Sequence, residues 1–114
     1  MIFIAENPSM PETSDPRIPP RDRVVSRYLI DYWAKEQPEK IFLKFDDADH
    51  STGGREWSYV DFRERVIQAG LGFQMLGVEQ GDHVLVWGPP GRDHTLIYFG
   101  LNYIGAVYVP INTA

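Results

Sequence analysis

The sequence predicts an α/β fold, an incomplete subdomain that combines a β-hairpin with a parallel βαβ unit. Two patterns carry that prediction. Residues 83–110 read as a Val-rich strand, an apolar helix and a second strand, joined by short loops. Parallel strands need such a crossover, and it is right-handed in nearly all proteins. Residues 40–59 read as two short runs of strand-forming residues around a polar, Gly-containing loop, which is a hairpin pattern. At 114 residues the chain is at most one domain. A compact chain of that length buries roughly two-thirds of its unfolded surface, enough for a core.

Taken in order, residues 1–21 hold Pro8, Pro11, Pro16, Pro19 and Pro20 and read as a mobile or extended lead-in. Residues 22–114 form the folded part. Asp22 is placed to cap a helix from Arg23 to Glu36, with Val25, Tyr28, Leu29, Tyr32 and Trp33 on one face as its core stripe. Pro38 stops it. "KIFLKF" (40–45) alternates as a strand, with Ile41, Leu43 and Phe45 on one side and Phe42 and Lys44 on the other. "DDADHSTGG" (46–54) is a turn and "REWSY" (55–59) the returning strand. Ser58 and Asp61 resemble a capping box for a helix from Tyr59 to Leu76. Its apolar stripe is Phe62, Val66, Ala69, Phe73 and Leu76, and Gly70 and Gly72 suit close packing. Gly77 and Val78 suit a left-handed C-terminal cap.

"HVLVW" (83–87) is the first parallel strand and "GPPGRD" (88–93) a loop with Asp93 as helix cap. The next helix runs from His94 to Ile104, with Ile97, Leu101 and Ile104 in one stripe and Leu96, Phe99 and Tyr103 beside it. So little polar surface predicts burial on most sides. Gly105 ends it, and "AVYVP" is the second strand. Two strands and one or two helices cannot cover both faces of a parallel sheet, so the unit reads as unfinished.

Composition narrows the function. The net charge of −5 argues against a nucleic-acid partner, which favours a basic face. The absence of cysteine removes disulfides, thiolate metal sites and a Cys nucleophile, and fits the cytoplasm. No apolar run approaches the ~20 residues of a transmembrane helix, and no signal peptide is evident. "GPPGRDH" sits between strand and helix, where phosphate loops sit, but it matches neither phosphate fingerprint. Pro89 and Pro90 also remove two N–H donors, so an ordinary loop with a solvated Arg92 is expected. His50, His83 and His94 lack metal-ligand spacing. Ser51 and Ser58 lack a nucleophile-elbow setting. Asp46, Asp47 and Asp49 do not meet the calcium-loop pattern. Tyr28, Tyr32, Trp33, Phe62 and Phe73 read as core rather than as base-stacking groups. No catalytic, cofactor-binding or metal residue is assigned.

The order of motifs says more than any one site. Trp57, Ser58, Tyr59, Asp61 and Phe62 fit one motif. Leu76, Gly77, Val78, Gly81, Asp82 and Val84 fit "LGV-x-x-GD-x-V". Gly105, Ala106, Pro110, Ile111 and Asn112 fit "GA-x-x-x-P-[IL]-[ND]". In this order and spacing, residues 24–114 resemble the N-terminal segment of the adenylate-forming (AMP-binding) superfamily, part of a larger multi-layer α/β ligase fold. "VPIN" is more like acyl-CoA ligases than peptide-synthetase adenylation domains. Gly88-Pro89-Pro90 departs from the Pro-Asn that relatives commonly carry there.

The resemblance implies activation of a carboxylic acid by ATP and Mg²⁺ as an acyl-adenylate, then transfer to CoA, as in fatty acid metabolism. The motifs for that chemistry lie downstream in relatives. This chain is therefore expected to be an inactive fragment whose partner is the remainder of a ligase, with no cofactor of its own. The alternatives are a fragment of a peptide-synthetase adenylation domain, or a small interaction module that pairs through its βαβ edge.

Overall fold

A computed structural model describes residues 25–45 and 56–112. The elements run α1 (Ser26–Glu36), β1 (Ile41–Lys44), β2 (Glu56–Ser58), α2 (Tyr59–Met75), β3 (His83–Trp87), α3 (Arg92–Tyr103) and β4 (Val107–Ile111). β1 and β2 pair antiparallel, and β3 and β4 pair parallel in the register His83↔Val107 to Trp87↔Ile111. The α/β class, the hairpin and the parallel βαβ unit are all present. The lead-in, Asp22, the acidic stretch 46–49, His50 and Ser51 lie outside the described residues.

The α1 stripe needs correction. The helix starts at Ser26, its cap position is Val25, and no side chain caps it. Its buried residues are Ile30 and Ala34, whereas Tyr28, Tyr32 and Trp33 remain 37%, 43% and 36% exposed. Helical spacing fits either face here, because Ile30 and Ala34 also lie i, i+4 apart. The smaller pair seats α1 closely on its neighbours. Asp31, on the same helix, fastens it at the surface. Arg63 Nε of α2 and the Tyr103 hydroxyl of α3 both donate to Asp31 Oδ1 at 2.8 Å. Its hydrogen bond to Asp31 raises the Arg63 pKa, and burial followed by its own hydrogen bond to Asp31 raises that of the Tyr103 phenol.

In β1 the simple alternation breaks at a register irregularity between Ile41 and Leu43. Phe42 therefore reaches Phe62, with ring centroids 5.0 Å apart, while Phe45 meets Trp57 edge-on at 4.8 Å. α2 begins as its sequence requires. Asp61 N–H donates to Ser58 Oγ, and Ser58 N–H donates back to Asp61 Oδ2. Ser58 is 5% exposed, so its hydroxyl has little water to turn to. Ser58→Ala should cost about 1–2 kcal/mol, read as a lower urea midpoint at unchanged slope.

Two apolar clusters form the core. Ile30, Trp57, Phe62 and Val66 make the first, and Val86, Leu101 and Ala106 the second. α3 joins them. Leu96, Phe99 and Tyr103 pack on the first, while Ile97, Leu101 and Ile104 serve the second. That double duty is why α3 carries so little polar surface. Of the proposed α2 stripe, Leu76 is misplaced: it falls at the cap and is 82% exposed. Gly72 also departs from expectation, since a Cβ there would meet nothing within 4 Å. Gly70 and Gly100 do bring α2 and α3 together. A Cβ on Gly70 would lie 2.8 Å from Ile104 Cγ2, and one on Gly100 would lie 2.9 Å from Ala69 Cβ.

Candidate functional site

Ligands of open α/β sheets bind beyond the carboxyl ends of the strands. In this chain that region is the β3–α3 loop. Val86, Trp87, Gly88, Pro89, Pro90 and the first turn of α3 line a hollow of about 350 Å³. The helix starts at Arg92, two residues earlier than the sequence suggests, with Gly91 at the cap position and no side-chain cap. Asp93 is therefore in the first turn and not the cap. Its carboxylate there favours the positive end of the helix dipole. Thr95 N–H and Oγ1 both donate to Gly91 O, at 3.0 and 2.9 Å.

Arg92 is also corrected: it is 9% exposed, not solvated. Its guanidinium lies 6.0 Å from the centre of the Phe45 ring, so it ties the loop to the hairpin. Periodicity could not reveal this, because the partner ring is far away in sequence. His94 hydrogen-bonds the Tyr108 hydroxyl, which joins the start of α3 to β4. The Tyr98 ring meets Tyr108 edge-on at 5.0 Å. His83 stands exposed at the start of β3, His94 lies in the first turn of α3, and Ser58 is committed to its cap. Among the described residues, no three His, Cys, Asp or Glu side chains gather to hold a metal.

The prolines and the acid of this hollow oppose a phosphate group, whereas Arg92 and His94 in the same lining carry donors. Pro89 and Pro90 offer no N–H to a phosphate, and Asp93 adds negative charge at the helix start. Arg92 and His94 hold the start of α3 against the hairpin and β4.

Two other motifs include turns. α2 ends with Val78 N–H on Phe73 O and Gly77 N–H on Gln74 O. α3 ends alike, with Ala106 N–H on Leu101 O and Gly105 N–H on Asn102 O. Both are Schellman motifs, and both need a residue at positive φ, here Gly77 at 95° and Gly105 at 81°. Asp82 Oδ2 accepts from Glu79 N–H at 2.8 Å and closes the turn before β3. Gly81 N–H then donates to Gly105 O at 2.8 Å, and Val107 N–H to Asp82 O at 2.7 Å. The two turns thereby fix where the parallel pair starts.

A family model described as AMP-binding enzyme matches residues 30–114, well over half of the chain. The chain belongs to the AMP-binding enzyme family. Among its curated relatives is crotonobetaine/carnitine–CoA ligase of Proteus mirabilis, 34% identical over 86 residues. That match covers 75% of this chain and 16% of the relative, so the chain spans about a sixth of that ligase. Solved AMP-binding and related ligase structures share the fold. The Mycobacterium tuberculosis fatty acyl CoA synthetase superposes with a TM-score of 0.63 at 21% identity, over 78% of this chain and 17% of that one. The Klebsiella oxytoca NpsA N-terminal subdomain gives 0.65 at 23% identity, over 76% of this chain and 21% of that one. The AMP-binding resemblance read from the motifs is thus established, and its three motifs supply the caps and turns described above together with residues of β2, β3 and β4. Among the described residues no helix is long and apolar enough to cross a membrane.

Proposed function

We propose that this chain supplies N-terminal scaffold to an ATP-dependent, AMP-forming acyl-CoA ligase and carries none of the reacting groups. In that reaction a carboxylate oxygen attacks the α-phosphorus of ATP, pyrophosphate leaves, and an acyl-adenylate forms. The CoA thiol, losing its proton, then attacks the acyl carbonyl and AMP leaves. The complete protein would use Mg²⁺, ATP and CoA with a carboxylic acid, in the cytoplasm, and acids of fatty acid metabolism suit it. The observation that carries this reading is the 34% identity to a CoA ligase over 86 residues.

The exposed side of the parallel sheet supports it. Leu85 and Trp87 of β3 are 66% and 77% exposed, and Val107 and Ile111 of β4 are 41% and 38% exposed. Parallel strands are ordinarily covered on both faces, and the rest of a ligase is the cover this reading assigns. The test is carboxylate-dependent ATP–pyrophosphate exchange by the 114-residue chain alone. No exchange above the protein-free rate is expected. Exchange stimulated by any carboxylate would overturn the proposal.

A further inference from the structure

The aromatic residues that the sequence assigns to the core of α1 form a half-exposed ladder instead. Tyr28 stacks on Tyr32, Tyr32 meets Trp33 edge-on, Trp33 stacks on Tyr59, and Tyr59 stacks on Phe42. Tyr28, Tyr32, Trp33 and Phe42 each keep 36–43% of their surface exposed. A contiguous apolar strip marks a binding surface more than a scatter of exposed residues does. The ladder lies on α1, the hairpin and the start of α2, apart from the parallel sheet face that the proposed ligase would cover.

The outward face of α1 is complementary to itself. Tyr28, Tyr32 and Lys35 lie at i, i+4 and i+7, on the side of the helix opposite the buried Ile30 and Ala34. That face has an aromatic ring near its start and a cation near its end. Arg27, the other basic residue of α1, already sits over the Tyr103 ring at 4.8 Å. Asp31, on the flank, is held by Arg63 and Tyr103. Lys35 is exposed and makes no ion pair or ring contact among the described residues. Consider two α1 helices packed antiparallel, with a two-fold axis between Asp31 and Tyr32. Tyr28 of each copy then faces Lys35 of the other, and the two Tyr32 rings meet at the centre. Each ammonium sits over a ring that attracts it, and the symmetry makes that contact twice. Four aromatic residues of roughly 200 Å² each, at this exposure, offer on the order of 300 Å² per copy, which suits a weak, reversible dimer.

We propose that two copies of this chain pair antiparallel through Tyr28, Tyr32 and Lys35 of α1. Trp33 and Phe42 flank the contact. The sheet face stays open, so the pairing does not depend on the ligase reading. Sedimentation of the 114-residue chain at rising concentration should show a monomer–dimer equilibrium. Lys35→Glu should weaken the dimer about tenfold or more with helical circular dichroism unchanged. Leu85→Lys, on the sheet face, should leave it as it is. A mixture of isotope-labelled and unlabelled chain then locates the contact. Intermolecular NOEs should join the Tyr28 ring to the Lys35 methylenes, which are about 10 Å apart within one helix and give no such signal alone. A chain that stays monomeric at NMR concentrations would overturn the proposal, as would a dimer insensitive to Lys35→Glu. Intermolecular NOEs to Leu85 and Trp87 instead would also overturn it, by placing the interface on the sheet.

Discussion

Phe62→Ala should cost the fold about 3–5 kcal/mol, the range for a buried aromatic cut back to its Cβ. Phe62 is 1% exposed, and its ring joins three elements. It belongs to α2, tilts against Phe42 of the hairpin at 5.0 Å, and meets Phe99 of α3 edge-on at 5.1 Å. Val66, one turn along, is fully buried, so no side chain can swing in from water to refill the space. A domain of this size has roughly 5–15 kcal/mol of total stability, so the variant should unfold at much lower urea or fail to fold. A loss below about 1 kcal/mol would mean that the first cluster does not hold the hairpin to the helices.

Gly100→Ala should be the second large effect, a net loss of about 1–3 kcal/mol even though alanine is the better helix former. The added methyl would stand 2.9 Å from Ala69 Cβ and 3.2 Å from the Gly70 backbone nitrogen. Neither can rotate away, so α2 and α3 must separate. Gly72→Ala supplies the internal control. It faces open space, so the helix propensity gain of about 1 kcal/mol should appear without opposition. Thermal melts of the two variants should therefore move in opposite directions. Equal shifts would show that the close approach of the helices does not set the sign.

Much of this was legible beforehand because it is local. The capping box at Ser58 and Asp61, the glycine ends of α2 and α3, and the strand–helix–strand order depend on neighbours in the sequence. Each was found where the residues implied. The errors came where the deciding partner is distant. Periodicity placed Tyr28, Tyr32 and Trp33 in the core, but Ile30 and Ala34 share the same spacing and allow the closer approach. Arg92 looked solvated because Phe45, the ring it covers, is more than forty residues away. Gly70 and Gly72 looked alike in sequence, and only the position of Ile104 separates them. The candidate site followed the same rule. Its loop was visible between strand and helix, but the clamp of His94 on Tyr108 required the register of β4.

The central claim is that this chain is scaffold for ligase chemistry performed elsewhere, and a segment exchange tests it most directly. Residues 30–114, the stretch that matches the family model, would replace the corresponding segment of the Proteus mirabilis crotonobetaine/carnitine–CoA ligase, which is 34% identical to this chain over 86 residues. The chimera would then be assayed for ATP–pyrophosphate exchange and CoA thioester formation with the parent's acid. The account predicts that both activities persist within about tenfold of the parent, a barrier change of about 1.4 kcal/mol. A chimera that melts cooperatively like the parent yet makes no acyl-adenylate would contradict it.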